Sequence, residues 1–330
     1  FPYAFLGDAV ASVSAGETIR LVDDCTSGTI SISKEIELDL NGYTITSEAT
    51  SGTFITVQDS GELSITDSSE SGDGTITGSG ILYLIQTMPG SSLHIDSGTF
   101  IISDSTSTPF YVIEIRGTAT IDGGTFTAGT DSSDIGYALR VYNGGDLELN
   151  YATIVSTYGG ILIRSTDGQT SSTTATIYDG DIDAYTYGFA VFGDGYESEE
   201  DNDRAVLTIL DVDVDMTNTN PIESESVCIG TNASAGAYGG HTINIEGGTF
   251  NGNTGCYFPS YGLYNITGGT FETSMYGIRI AAGILKISGD ATIQTNVERS
   301  DSELTVDEKP TGIMGPLTVG KVSTGYVGDI

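Results

Sequence analysis

The sequence predicts an all-β chain that coils into a parallel β-helix of about ten turns, each turn made of three strands. The first observation is a repeat, whose clearest copies are LHIDSGTF at 93–100, ATIDGGTF at 119–126, INIEGGTF at 243–250 and YNITGGTF at 264–271. Further copies, at intervals of 21 to 36 residues, extend the series of first apolar positions to Leu38, Leu63, Leu93, Ala119, Leu147, Ala175, Leu207, Ile243, Tyr264 and Leu285. A period of this length indicates stacked units, because one unit cannot bury its apolar face alone.

The second observation is the alternation of apolar and polar residues within each copy. Leu147 and Leu149 are typical of the inward positions of a half-buried strand. The Gly-Gly pair that follows in the best copies lets the backbone turn a corner into a second short strand, whose Phe faces inward. A third alternating run, such as 112–115 or 138–141, comes halfway through most turns. Three strands per turn build parallel sheets around a continuous apolar core.

The start of the chain departs from this pattern. Residues 3–13 carry apolar side chains at the spacing of one helical face, namely Phe5, Leu6, Ala9, Val10 and Val13. A short helix here would cover the strand edge that the first turn exposes. We therefore expect an N-terminal cap over 1–24 and the β-helix over 25–297. Residues 298–330 hold no clean copy of the repeat and are expected to form a C-terminal cap or the start of a following segment.

The composition restricts the classes of partner. The 330 residues carry a formal net charge of −34 and only 11 Lys and Arg. Phosphate binding needs clusters of basic side chains, so binding of nucleic acid is not expected. No apolar run approaches the length of a membrane span, so membrane insertion is not expected either. Three cysteines cannot all pair, and buried free thiols are expected, with a contact between the last two left open: Cys25, Cys228 and Cys256.

Two successive copies replace the Gly-Gly-Thr-Phe ending by acidic residues. The runs 175–183 and 207–215 align so that aspartates lie side by side in three pairs: Asp179 with Asp211, Asp181 with Asp213, and Asp183 with Asp215. Like charges opposite each other destabilise a sheet unless something neutralises them, and Ca²⁺ prefers clustered oxygen ligands. These six residues form a candidate Ca²⁺ site. The alternative is that they diverge into water and are screened by ordinary salt.

A second group of candidate residues lies in the third strand of adjacent turns. The alternation directs five side chains outward as a candidate ligand-binding surface: Arg116, Arg140, Tyr142, Arg164 and Phe192. Guanidinium groups beside aromatic rings on a flat sheet suit an acidic or neutral sugar. Four more tyrosines are expected nearby, Tyr151, Tyr158, Tyr185 and Tyr187. The alternative, which we prefer, is that the arginines neutralise acids in a crowded negative surface.

The N-terminal turns also carry a family resemblance. The motifs GETIRLVDD at 16–24, IELDLNG at 36–42 and YTI at 43–45 belong to this part of the chain. The run 3–46 resembles the opening of pectate-lyase-like right-handed parallel β-helix domains in cell-surface, adhesin-like proteins of Gram-positive bacteria. The resemblance implies a right-handed coil and, with the acidic composition, an extracellular or cell-wall-associated location.

These observations predict a secreted or cell-surface module with a structural or adhesive role, which binds polysaccharide, host-surface glycan or protein without catalysis. The alternative is a carbohydrate-active enzyme, a polysaccharide lyase or glycosidase for acidic polysaccharide. In that alternative, the metal or acid roles fall to Asp181, Asp183, Asp213 and Asp215.

The two histidines do not favour a catalytic triad. Neither His94 nor His241 stands beside a plausible nucleophile and an orienting acid. His94 occupies an outward strand position and is expected to be exposed to solvent.

Overall fold

The computed structural model describes residues 3, 5–103, 109–131, 133–166, 169–193, 204–218, 226–231, 238–293, 296–299, 303–306, 312–313 and 317–319. Nearly all regular structure in these residues is β-strand, and its rows of parallel strands confirm the predicted parallel β-helix. The chain divides into two compact units, unit 1 (Phe1–Tyr158) and unit 2 (Gly159–Ile330), and each is described by itself.

Unit 1 begins with helix α1 and continues with strands β1 to β17. Their bounds are α1 Leu6–Ser12, β1 Glu17–Arg20, β2 Cys25–Ser27, β3 Ile30–Ile32, β4 Glu35–Asp39, β5 Thr44–Ser47, β6 Thr53–Val57, β7 Glu62–Thr66, β8 Thr75–Ser79, β9 Tyr83–Thr87, β10 Ser92–Ile95, β11 Thr99–Ser103, β12 Phe110–Ile115, β13 Thr118–Ile121, β14 Thr125–Ala128, β15 Gly136–Tyr142, β16 Asp146–Leu149 and β17 Thr153–Ser156.

Unit 2 holds strands β18 to β34. Their bounds are β18 Gly159–Ser165, β19 Thr173–Ile177, β20 Asp181–Ala184, β21 Tyr187–Gly193, β22 Ala205–Ile209, β23 Asp213–Met216, β24 Val227–Thr231, β25 Tyr238–Ile245, β26 Thr249–Phe258, β27 Tyr261–Ile266, β28 Thr270–Ile280, β29 Ile284–Ile287, β30 Thr292–Ile293, β31 Asn296–Arg299, β32 Glu303–Val306, β33 Gly312–Ile313 and β34 Leu317–Val319.

The strands of unit 1 form three parallel rows, which confirm three strands per turn. The first row is β1-β4-β7-β10-β13-β16. The second is β2-β5-β8-β11-β14-β17. The third is β3-β6-β9-β12-β15. Every strand therefore pairs with the strand at the same place in the next coil.

The described strands of unit 2 follow the same rule. The first row is β19-β22-β25-β27-β29-β32. In the other two rows, β20-β23 and β18-β21-β24 both lead into the long strands β26 and β28. From β28 the rows separate again into β30-β33 and β31-β34. In β26 and β28, one long strand therefore covers the corner at which the other coils have two shorter strands joined by a loop.

The register agrees with the predicted repeat except at its first copy. In unit 1, Leu63, Leu93, Ala119 and Leu147 are partners in succession, and unit 2 aligns Ala175, Leu207, Ile243, Tyr264 and Leu285. The placement of Leu38 beside Leu63 is wrong, because Ile36 pairs with Leu63 and Leu38 with Ile65. A slip of two residues keeps the same face inward, so the pattern alone does not reveal it.

The Gly-Gly pair of the repeat meets two separate requirements, seen at Gly247 and Gly248. Gly248 has a φ of 102°, a conformation that residues with a Cβ rarely adopt. A Cβ at Gly247 would lie 2.2 Å from the carbonyl oxygen of Leu210 in the preceding coil. The first glycine therefore permits close stacking of the coils, and the second turns the corner.

Helix α1 confirms the predicted N-terminal helix but is shorter than 3–13. Leu6 and Ala9 are buried, and the helix packs on β2 and β3 of the first coil. Phe5, expected on the apolar face, precedes the helix and is 65% exposed. The Lys34 ammonium donates to the carbonyl of Val13 at the helix end, where positive charge is stabilising. No helix in the described residues has the length and apolar character needed to cross a bilayer.

The cysteines are free thiols in the structure. Cys25 is half-buried, whereas Cys228 and Cys256 are fully buried in unit 2. Burial raises the pKa of both buried thiols, so they remain protonated and unreactive at neutral pH.

The predicted C-terminal cap or following segment at 298–330 lies largely outside the described residues. Its described parts include β32, β33 and β34, which pair in parallel with β29, β30 and β31. These pairs continue the rows of unit 2 beyond the last predicted copy of the repeat.

Candidate binding surfaces

The predicted aspartate pairs come together in unit 2 on β20 and β23. Asp181 is the partner of Asp213, and Asp183 the partner of Asp215. All four are exposed, while the residues that alternate with them are buried. Four carboxylates thus project from one rigid face, which we call the acidic face, and the predicted register of these pairs is confirmed.

Asp179 and Asp211, the third predicted pair, have a different local role. They precede the strands, and each accepts a hydrogen bond from the next backbone N–H, that of Gly180 at 2.7 Å and that of Val212 at 3.1 Å. These carboxylates therefore help to fix the corner that leads into each strand. Their participation in a Ca²⁺ site stays a prediction.

The charges of the acidic face repel one another. Partial desolvation, followed by the charges of Asp215 and Asp181, raises the pKa of Asp183 above its ordinary value. The folded state therefore holds this proton more tightly than the unfolded chain, and the free energy of unfolding falls as the pH rises through the pKa. In the next coil, the Asn251 amide donates to Asp215 at 2.8 Å, so a neutral donor relieves part of the repulsion.

Exposed tyrosines flank the aspartates of β20. Tyr178 is 42% exposed and precedes the strand, and Tyr185 is 44% exposed and follows it. Asp181, Asp183 and Tyr185 are all exposed, and Tyr185 lies in the bend that directly follows the strand. Tyr185 is expected beside the arginines, whereas in the structure it directly follows the aspartate-bearing strand β20.

Arg116 and Arg140 of unit 1 form a cluster of their own around Glu114. The Glu114 side chain is fully buried, although alternation predicts an outward position for it. Its carboxylate accepts hydrogen bonds from Arg116 Nε at 2.6 Å, Arg140 Nη1 at 2.7 Å and Gln86 Nε2 at 2.8 Å. One buried acid therefore neutralises two arginines, which supports the preferred interpretation of this group.

Aromatic rings enclose this Glu114 cluster. The Arg140 guanidinium lies 3.8 Å from the Tyr142 ring centroid and 4.7 Å from that of Tyr111. Tyr111 stacks on Tyr83 at 5.6 Å and on Tyr137 at 6.1 Å, one ring per coil. Burial, and next the charge of Glu114, raises the pKa of Tyr83 to about 12. Arg140 is only 8% exposed, so its guanidinium is engaged within the chain rather than presented to solvent.

The remaining predicted ligand-binding residues belong to unit 2. Arg164 and Phe192 are register partners on β18 and β21, and both are half-buried. The Phe192 ring contacts Tyr187 edge-on, with centroids 6.0 Å apart. Binding by Arg116, Arg140, Tyr142, Arg164 and Phe192 stays a prediction, with the first three in direct contact within unit 1.

The two histidines differ sharply in their surroundings. His241 is fully buried, and its Nε2 lies 2.8 Å from the Tyr264 hydroxyl, which donates to the Ser260 carbonyl at 2.6 Å. The His94 side chain is 43% exposed, as expected for an outward position, and it is grouped with Asp96 and Asp122, which the sequence does not predict. The sequence does hold one indication of this group, because both aspartates occupy the fourth position of successive repeat copies.

No protein-family model, curated protein or solved structure matches the chain.

Proposed function

We propose that the chain is an extracellular or cell-wall-associated module with a structural or adhesive role, which binds glycans through the acidic face of unit 2. The resemblance of its N-terminal turns to pectate-lyase-like β-helix domains of Gram-positive surface proteins supports the location and the role. The proposal assigns no catalytic step to any residue. Its ligand class follows from the chemistry of the acidic face.

The observation that carries the proposal is the row of exposed carboxylates on one rigid face, with an exposed tyrosine at the end of one of its strands. Asp181 and Asp183 pair in register with aspartates of the next coil, and the exposed Tyr185 directly follows their strand. Carboxylates accept hydrogen bonds from sugar hydroxyls, and a tyrosine ring offers an apolar face with a polar tip. Because the side chains stand on paired strands, little ordering is required when a ligand binds.

The negative charge of the chain restricts the class of glycan that the acidic face can bind. A net charge of −34 repels polyanions, and the acidic face itself carries four carboxylates. Neutral and amino-sugar polymers therefore suit this surface better than polyuronates. Ca²⁺ bound at the predicted aspartate site would reduce the repulsion and offer a metal ion to sugar hydroxyls.

Replacing Tyr185 by alanine is expected to weaken binding of a neutral glycan about tenfold, because exposed aromatic side chains commonly dominate such interfaces. The measurement is titration of oligosaccharides selected on a glycan array, with Ca²⁺ and with EDTA. The matched control is Tyr3→Ala, since Tyr3 is 48% exposed and precedes helix α1 in unit 1.

Three results decide the proposal. Weaker glycan binding by Tyr185→Ala together with unchanged binding by Tyr3→Ala supports it, and dependence of binding on Ca²⁺ supports the predicted metal site as well. Equal affinities of both variants and the parent chain would refute binding at the acidic face. Release of unsaturated or reducing products from polygalacturonate, abolished by Asp183→Asn, would favour the enzyme alternative.

A further inference from the structure

A histidine and two aspartates converge on the first row of strands in unit 1. His94 lies in β10, Asp96 directly follows that strand, and Asp122 directly follows β13 in the next coil. One ligand atom from each side chain lies within 4.8 Å of the others, and this is the one such group of three in the described residues. The Nε2 atom of His94 is 3.4 Å from Asp122 Oδ2.

The backbone and the neighbouring coils hold these side chains in place. The N–H of Asp96 donates to the Ile65 carbonyl at 3.0 Å, and that of Asp122 to the Ile95 carbonyl at 2.8 Å. These bonds extend the strand pairing through both aspartates, so the positions of their Cα atoms are fixed by the stack of coils.

Polar neighbours orient both carboxylates. The Asn150 amide donates to Asp122 Oδ1 at 2.6 Å, which leaves Oδ2 directed at His94. The Thr66 hydroxyl donates to Asp96 Oδ2 at 3.1 Å. Metal-binding carboxylates are commonly oriented by such hydrogen bonds from side chains that do not touch the metal.

The donor atoms match the requirements of a transition metal. Two ligands bound to Zn²⁺ at about 2.1 Å in a tetrahedral site lie roughly 3.4 Å apart, which is the observed separation of His94 Nε2 and Asp122 Oδ2. Imidazole suits Zn²⁺ and similar ions, whereas Ca²⁺ and Mg²⁺ prefer oxygen ligands alone. All three side chains are exposed, so a fourth position stays open to water or a ligand.

We propose that His94, Asp96 and Asp122 form a binding site for a divalent transition-metal ion of the Zn²⁺ class. The site differs from the acidic face in its residues and in its ligand chemistry, and it does not depend on the proposed glycan binding. A groove of about 380 Å³ reaches His94 and Asp96 and is also lined by Glu37, Ser64 and Thr66. A ligand that coordinates the open position of the metal has access along this groove.

Calorimetric titration with ZnCl₂, on protein purified without a histidine tag, tests the site. The parent chain is expected to bind one Zn²⁺ with an affinity that His94→Ala and Asp122→Asn each lower at least about tenfold. The matched control is Thr120→Ala, because Thr120 is the register partner of His94 and offers no ligand of this group. Circular dichroism of each variant verifies that the exposed substitutions leave the fold intact.

The same titrations also distinguish the proposed site from its alternatives. No heat and no bound zinc in the parent chain would overturn the proposal, and so would unchanged binding in both ligand variants. Binding of CaCl₂ or MgCl₂ as tight as that of ZnCl₂ would contradict a site selected by imidazole. Equal loss in Thr120→Ala and His94→Ala would show a general surface effect and refute the assignment.

Discussion

Replacing Glu114 by alanine is expected to lower the free energy of unfolding of unit 1 by about 3 to 5 kcal/mol, the cost of breaking a buried ion pair by removing one partner. The carboxylate is fully buried and accepts hydrogen bonds from Arg116, Arg140 and Gln86. Without it, Arg140 is left as a buried charge between tyrosine rings. Urea unfolding of the parent and variant chains measures the difference.

Two further variants define the cause of this loss. Glu114→Gln keeps the shape of the side chain and some of its hydrogen bonds, so a smaller fall in the free energy of unfolding is expected. Glu148→Ala removes an exposed glutamate from β16 and is expected to change stability by no more than about 0.5 kcal/mol. Equal effects of Glu114→Ala and Glu148→Ala would show that the Glu114 cluster does not stabilise the fold.

Phe126→Ala is expected to lower the free energy of unfolding by about 3 to 5 kcal/mol, the usual range for truncating a buried phenylalanine. The Phe126 ring is 0% exposed and stacks on Phe100 of the preceding coil, with centroids 5.0 Å apart. Removing it opens a cavity in the continuous core, which paired strands on every side cannot close. Thermal unfolding followed by circular dichroism should show a large fall in the melting temperature.

The neighbouring Thr127 provides the control for this prediction. Thr127 follows Phe126 in β14 and is half-exposed, so Thr127→Ala is expected to change the unfolding free energy by no more than about 0.5 kcal/mol. A loss for Thr127→Ala as large as for Phe126→Ala would mean that the inward and outward faces are assigned the wrong way round.

Most of the fold could be predicted because the repeat combines two independent signals. Alternation fixes which face is inward, and the glycine before Thr-Phe marks the corner, so copies such as those at Leu93 and Ala119 align correctly. The copy at Leu38 lacks that ending, and its register is off by two residues. The pairs of Ile19 with Leu38 and of Leu285 with Leu304 lie beyond the predicted series, which begins at Leu38 and ends at Leu285.

The candidate sites were less predictable, because they depend on side-chain contacts rather than on register. Asp181 and Asp183 were paired correctly with their partners, since alignment alone decides that question. Burial of Glu114 was not foreseen, because long Arg and Tyr side chains cover an outward position without changing the alternation. The group around His94 draws on two coils, and only the stacked structure shows its donor atoms converging.

Cross-linking between coils of unit 1 tests the stacked register most directly. Ile101 pairs with Thr77 on one side and with Thr127 on the other. Adjacent parallel strands lie about 4.8 Å apart, within the Cα separation of a disulfide, whereas strands two coils apart lie roughly 9.6 Å apart.

The measurement is disulfide formation under mild oxidation, with Cys25→Ser in every variant. The stacked register predicts a bond for Ile101→Cys with Thr127→Cys and none for Thr77→Cys with Thr127→Cys. A bond in the second variant and none in the first would contradict the coiled stacking on which the core of unit 1 and the proposed metal site depend.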